Sequence, residues 1–324
     1  MMGRIKIFIL ILIPIVLWTD QVYAQQVPQF SQYMFNPLFL NPAYAGYKES
    51  MYIQSYYRKQ WAGIEGSPET FVVSADGKIE NKKLGLGGHV VMDRIGAQRT
   101  TGAYANLSYH LQLAEEHFLS FGFGAGLVNS MLDGGLLNSG DPNDPAVPAG
   151  RDQLLYPDLK LGLYYYTPRF FVGVSMDNIF SSQMGLGDQA IIIEPVSNFY
   201  FTAGTLIEIS PNLAFKPTLL YMDDFNAPAR MDFSSFLLFY EKFWLGLSYR
   251  TSMNLSNRGF DDNLQRPTAL VGLIEFYVNE RFRIGYAYDH NLTGFGRTNV
   301  STHDLSVGFI LPPKKVQIVS PRYF

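Results

Sequence analysis

Cysteine is absent from all 324 residues. That absence removes disulfides, thiolate metal sites, a thiol nucleophile and the thiol a lipoprotein needs for lipid attachment. Charge is sparse, at 16% of residues, and its net value of -3 supplies no basic face for nucleic acid. Long apolar runs are missing as well. Beyond residue 24 no stretch approaches the roughly 20 residues a helix needs to cross a hydrocarbon core, so helical membrane spans are excluded. No serine, histidine and acid set has a spacing that argues catalysis, and no cofactor or metal motif stands out. The glycine-rich stretches Gly85 to Gly88 and Gly122 to Gly126 lie inside strand-like segments with no helix after them, which excludes phosphate-loop chemistry.

The amino end reads as a secretory signal over residues 1–24. Arg4 and Lys6 precede a twelve-residue apolar run from Ile7 to Trp18, and Val22-Tyr23-Ala24 closes it. The run is too short, and with Pro14 too broken, for a membrane anchor.

From residue 51 onward, segments of about ten residues alternate apolar with small or polar positions, the pattern of a strand with lipid on one side and a barrel lumen on the other. Phe282, Ile284, Tyr286 and Tyr288 share one phase, and Arg283, Gly285, Ala287 and Asp289 the other. The same split runs through Leu119 to Leu127 and Asp304 to Leu311, with glycines on the lumen phase where crowding is expected. Fourteen such segments are found, near 51–57, 69–78, 83–93, 99–112, 117–128, 155–166, 169–178, 197–209, 212–222, 230–240, 243–252, 267–278, 281–290 and 303–311. Short connections such as Glu115-Glu116, Thr167-Pro168 and Glu241-Lys242 alternate with longer ones, though Arg94 to Gln98 is modest for a long one. The expectation is an all-β, antiparallel, fourteen-stranded transmembrane β-barrel over 51–312, with both termini in the periplasm and long loops outside.

Lys160, Asp177, Glu208, Lys216, Arg250, Glu275 and Arg283 fall on the lumen phase, and their mixed signs suit a filled interior better than an ion-selective pore. Residues 25–50 form an aromatic-rich leader carrying Asn36-Pro37 and Asn41-Pro42, each a fixed corner because proline holds the preceding residue extended. Two uses are open for it. One is a plug or belt folded into the periplasmic mouth, the other a docking surface for periplasmic components with Phe30, Tyr33, Phe35 and Tyr44 as anchors, and both can hold together. The tail 313–324, ending Arg322-Tyr323-Phe324, is either a packed end or a second partner-binding element. Asp141 to Asp144 and Asp261-Asp262-Asn263 read as turn chemistry, lacking EF-hand spacing. His290 and His303 beside Asp289 and Asp304 read as surface groups, not as a metal site.

Residues 27 to 46, Val-Pro-Gln-Phe-Ser-Gln-Tyr-Met-Phe-Asn-Pro-Leu-Phe-Leu-Asn-Pro-Ala-Tyr-Ala-Gly, resemble the opening signature of the PorP/SprF family of the Bacteroidota type IX secretion system. The resemblance continues through His89 to Gly96, through Tyr286-Ala287-Tyr288-Asp289 with Leu292-Thr293-Gly294, and into the closing Ser320 to Phe324. Ser301-Thr302-His303-Asp304 departs mildly from the expected start of the last strand. The resemblance implies a non-enzymatic outer-membrane component supporting export and surface attachment of a cargo with a type B C-terminal domain, in gliding species a motility adhesin. Its implied partners are that cargo at the outer loops (129–154, 179–196, 253–266 and 291–302), periplasmic type IX or peptidoglycan-linked components, and outer-membrane lipid. The alternative function is a passive porin or fatty-acid-type uptake channel.

Overall fold

The computed structural model describes residues 30–48, 50–79, 82–137, 148, 150–184, 195–253, 267–292 and 300–311. Within them one antiparallel sheet closes on itself. Its strands are β1 (Met51–Ala62), β2 (Glu69–Lys78), β3 (Leu84–Ile95), β4 (Gln98–Ala114), β5 (His117–Asp133), β6 (Arg151–Tyr166) and β7 (Phe170–Asp177). They continue as β8 (Asn198–Thr205, extended by Ile207–Ser210), β9 (Leu213–Asp223), β10 (Ala229–Phe239), β11 (Phe243–Met253), β12 (Pro267–Tyr277), β13 (Phe282–Asn291) and β14 (Ser301–Leu311). Each pairs with its neighbours, and β14 returns to β1 with Met51 opposite Leu311 and Lys59 opposite His303. Closure leaves no open sheet edge in the wall, as hydrocarbon requires. This is a fourteen-stranded barrel.

The alternating phases fall as expected. Leu127, Leu155, Leu161, Leu247, Phe233 and Ile274 are exposed on the outside, while Ser120, Asp158, Lys160, Ser234, Arg250 and Glu275 are buried within. Several strands run past their expected ends: β1 continues to Ala62, β5 to Asp133, and β6 begins at Arg151, so parts of the first long loop are ladder. At the same rim β3 and β4 are joined by only Gly96 and Ala97, so the alternation of connection lengths is looser than the sequence suggested.

Glu208 departs from its expected place in the lumen. It keeps the inward phase, opposite Ala214, but Ile207–Ser210 projects past the turn at Thr167 to Arg169, where no lumen remains. There Glu208 is exposed and meets Arg169 at 3.7 Å.

The expected signal (1–24), Val27 to Gln29, Asp141 to Asp144, residues 254–266 with Asp261 to Asn263, residues 293–299, and the tail with Arg322, Tyr323 and Phe324 lie outside the described residues.

Candidate functional site: a leader seated in the lumen

The segment before β1 is irregular, so its backbone polar groups cannot satisfy one another in a ladder and must find partners elsewhere. The two Asn-Pro corners shape it. Pro37 starts a single helical turn, Pro37–Leu40, and Pro42 starts a 3-10 turn, Pro42–Tyr44. Asn36 and Asn41 are held off the helical region, with φ of -132° and -137°, as a following proline dictates. The Asn41 side-chain oxygen accepts from Ala43 N at 2.9 Å, while its amide donates to Leu163 O and Val174 O on the wall.

Inward side chains supply donors to one leader carbonyl after another. Ser108 Oγ donates to Ala45 O at 2.6 Å, Ser120 Oγ to Ala43 O at 2.7 Å and Ser175 Oγ to Leu40 O at 2.7 Å. Lys160 Nζ donates to Phe39 O, Arg283 Nη2 to Phe35 O and Arg230 Nη2 to Phe30 O. The wall glycines make room for this backbone. A Cβ at Gly122 would overlap Ala43 and Pro42, one at Gly85 would overlap Ala45, and one at Gly162 the Asn41 side chain. The crowding read from the lumen-phase glycines is thus crowding by the leader itself. Gly46 turns the chain toward β1 at φ 72°, a conformation that favours glycine.

The deepest contact is ionic. Arg58, Arg230 and Arg250 face Asp232, Asp289 and Asp304, three charges of each sign. Ser31 sits in the middle: its Oγ donates to Asp289 at 2.6 Å and accepts from Arg58 and Arg250 at 3.0 and 2.8 Å, and its N–H donates to Asp304 at 3.1 Å. Tyr56 also donates to Asp304, and Gln32 links Asp304 O to Ser306. A second pair, Arg283 with Glu275, is completed by Tyr52 and Gln54. Buried charges are retained at low cost only when paired and hydrogen-bonded, and Ser31 adds bonds that the wall alone does not supply; Arg58 Nε and Asp289 Oδ1 are still without a hydrogen bond among the described residues.

Each anchor expected from the sequence can now be placed. Phe30 packs edge-on against Phe39 and Tyr56, with ring centroids 4.6 and 4.7 Å away. Tyr33 is buried beside Thr218 and Ser234, and burial pushes its hydroxyl up to about 12, so it stays a neutral hydrogen-bonding group. Tyr44 packs on Tyr47 and Tyr164; Asn36, Asn41 and Pro42 are buried. Phe35 and Pro37 are partly exposed. The side chains therefore turn into the barrel, and the part of the leader still open lies at Phe35, Pro37, Tyr47 and Lys48.

The leader also reaches further than the mouth. β1 begins and β14 ends at the rim of short turns, yet Ser31 contacts Asp289, Asp304 and Arg250, which lie in the half of the barrel nearer the longer connections. The reason is the placement of donors: the arginines that satisfy Phe30 O and Ser31 lie in that half.

The histidines hold no metal set, and no group of metal-binding side chains occurs among the described residues. His303 faces outward and bonds Tyr286 and Ser301, whereas Asp304 beside it points into the lumen. The sequence reading missed Arg58, Arg230 and Asp232 as members of the network; a charged residue on the small-or-polar phase of a strand is the signal that marks them.

Among solved structures, the CymD monoaromatic hydrocarbon channel is 15% identical, with 90% of this chain and 96% of that chain covered at a TM-score of 0.51. The Acinetobacter baumannii outer membrane protein Omp33 is 11% identical, with 81% and 98% covered at a TM-score of 0.46. The likeness to CymD shows the fold alone. No curated protein matches the sequence. A family described as type IX secretion system membrane protein PorP/SprF matches residues 22–309. With that match spanning the leader and nearly all of the barrel, the chain belongs to the PorP/SprF family of type IX secretion system membrane proteins.

Proposed function

We propose that this protein is a non-enzymatic outer-membrane component of type IX secretion whose barrel is plugged by its own leader and supports export and surface attachment of one cargo with a type B C-terminal domain. Family and fold are those of secretion or channel barrels of the outer membrane, not of a known enzyme class. The observation that carries the reading is the occupied lumen: Ser31 to Ala45 bond the wall on many sides, which suits a scaffold better than a conduit. In this reading 1–24 is removed as a signal, the short turns face the periplasm, and the long loops present the cargo-binding surface, since loops on a rigid scaffold carry recognition. Phe35, Pro37 and the tail residues Arg322, Tyr323 and Phe324 then offer contacts to periplasmic type IX or peptidoglycan-linked components.

The test is a deletion strain. The type B cargo, in gliding species a motility adhesin, should fail to reach the cell surface and should return on complementation. Intact surface display without this protein refutes the reading. A passive uptake channel is the competing function, and it predicts steady conductance of the purified protein in planar bilayers, where the plugged barrel should pass little current.

A further inference from the structure

Two arginines stand directly opposite each other on the outer face of the wall. Arg94 near the end of β3 is in register with Arg99 near the start of β4, and both side chains are exposed. Like charges directly opposite across a ladder destabilise it. The two strands are joined by only Gly96 and Ala97, so the pair is built into a tight hairpin rather than placed on a long loop.

The acids nearby are mostly engaged elsewhere. Along the same rung the register runs Lys59, Glu69, Arg94 and Arg99 over β1 to β4, three cations to one acid. Glu69 bonds Lys59 at 2.5 Å and also acts on Arg94. Asp93 turns inward to Thr70, and Asp133 bonds Arg151 at 2.9 Å. Glu65 lies on the connection whose Gly66 O accepts from Gly96 N, yet it forms no ion pair with either arginine. Arg99 therefore meets no carboxylate at ion-pair distance among the described residues.

Height places the pair at a lipid headgroup. Ten residues of β3 separate Leu84, at the short-turn rim, from Arg94. At about 3.3 Å per residue and a tilt of about 35–45°, that is roughly 23–27 Å, the height of the apolar band of an outer-membrane barrel. The outward side chains between them are Leu86, Val90 and Met92 on β3, with Ala103, Ala105 and Leu107 on β4. Thr101 and Asn129, paired one rung below Arg99 on the same face, carry a hydroxyl and an amide with no hydrogen-bond partner among the described residues.

We propose that Arg94 and Arg99 clamp a phosphate of the phosphorylated glycolipid of the outer leaflet, with Thr101 and Asn129 donating to its sugar and ester oxygens. A guanidinium on each side of one phosphate turns the cross-strand repulsion into two charge-assisted contacts. The position on the lipid-facing phase, directly above apolar side chains, selects a lipid over a secreted protein, which would meet the loops. The choice of leaflet rests on the secretion reading, in which the long connections face outward.

The test uses the full-length protein in detergent with three lipids: phosphorylated lipid A, the same lipid A with its phosphates removed, and phosphatidylglycerol. Phosphorylated lipid A should bind at least tenfold more tightly than either of the others. Arg94→Gln and Arg99→Gln should each remove most of that preference, and Lys242→Gln, at the opposite rim, should leave it intact. Without lipid, Arg99→Gln should unfold at no lower a urea concentration than the unaltered protein, because a repulsion is relieved. Equal binding of the two lipid A forms, equal binding of phosphatidylglycerol, a preference untouched by the arginine variants, or a fall in the urea midpoint of Arg99→Gln overturns the proposal. If a variant fails to migrate as a folded barrel, the comparison of lipids on the unaltered protein still decides. Cargo display in the deletion strain is a separate measurement, so failure here leaves the secretion reading standing.

Discussion

Replacing Gly122 with valine separates the seating of the leader from the integrity of the wall. The Ala43 backbone lies where the new Cβ would go, so the second Asn-Pro corner must lift away from β5. Overpacking of this kind costs about 1–3 kcal/mol. The lifted segment also loses the bonds from Ser120 Oγ to Ala43 O and from Ser108 Oγ to Ala45 O, worth about 1 kcal/mol each. Together these give roughly 3–5 kcal/mol, which at about 1.4 kcal/mol per tenfold raises the population of the unseated leader by about two to three and a half orders of magnitude. Hydrogen exchange on the full-length protein reads it directly. Amides of residues 38–46 should exchange faster by that factor, while those of β4, β5 and β6 keep their protection. Gly272→Val is the control: nothing lies within 4 Å of a Cβ there, so it should change neither. Unchanged exchange in the leader, or an equal loss of protection in the strands, would refute the reasoning.

Asp289→Asn removes the carboxylate shared by Ser31, Arg58 and Arg250. Breaking a buried pair on one side costs about 3–5 kcal/mol, so the urea midpoint should fall clearly; an unshifted midpoint would show that the network adds nothing to stability. Leu247 is 62% exposed at the middle of β11, and Leu247→Arg should cost about 2–4 kcal/mol in a bilayer with little effect on a detergent-held barrel. A matched cost in both media would place that face outside the membrane. Single-channel recordings should show larger conductance for Gly122→Val than for the unaltered protein, since a loosened leader opens the lumen; equal traces would mean that the leader does not block it.

Much of the barrel was legible because its physics is local. Period-two alternation along Arg283 to Asp289 or Ser120 to Leu127 assigns each side chain to lipid or lumen without knowledge of any partner strand, and closure then follows from the bilayer. Strand ends were less legible. β1 runs to Ala62 through Arg58 and Lys59, whose value depends on Asp304 and Glu69 across the ladder, contacts a single segment cannot announce.

The leader shows the limit most clearly. Its Asn-Pro corners and aromatic residues marked it as shaped and sticky, but the same residues suit an outward docking face as well as an inward plug. The choice between them rests on donors scattered over the chain: Ser108, Ser120, Ser175, Arg230 and Arg283 meet five leader residues only after fourteen strands have closed. Sequence alone determined an outer-membrane barrel with a mixed-charge interior, because alternation and the cost of unpaired backbone in lipid act within each strand. Tertiary structure decided what fills that interior and how far the leader reaches, because an irregular backbone goes where distant side chains can satisfy its carbonyls.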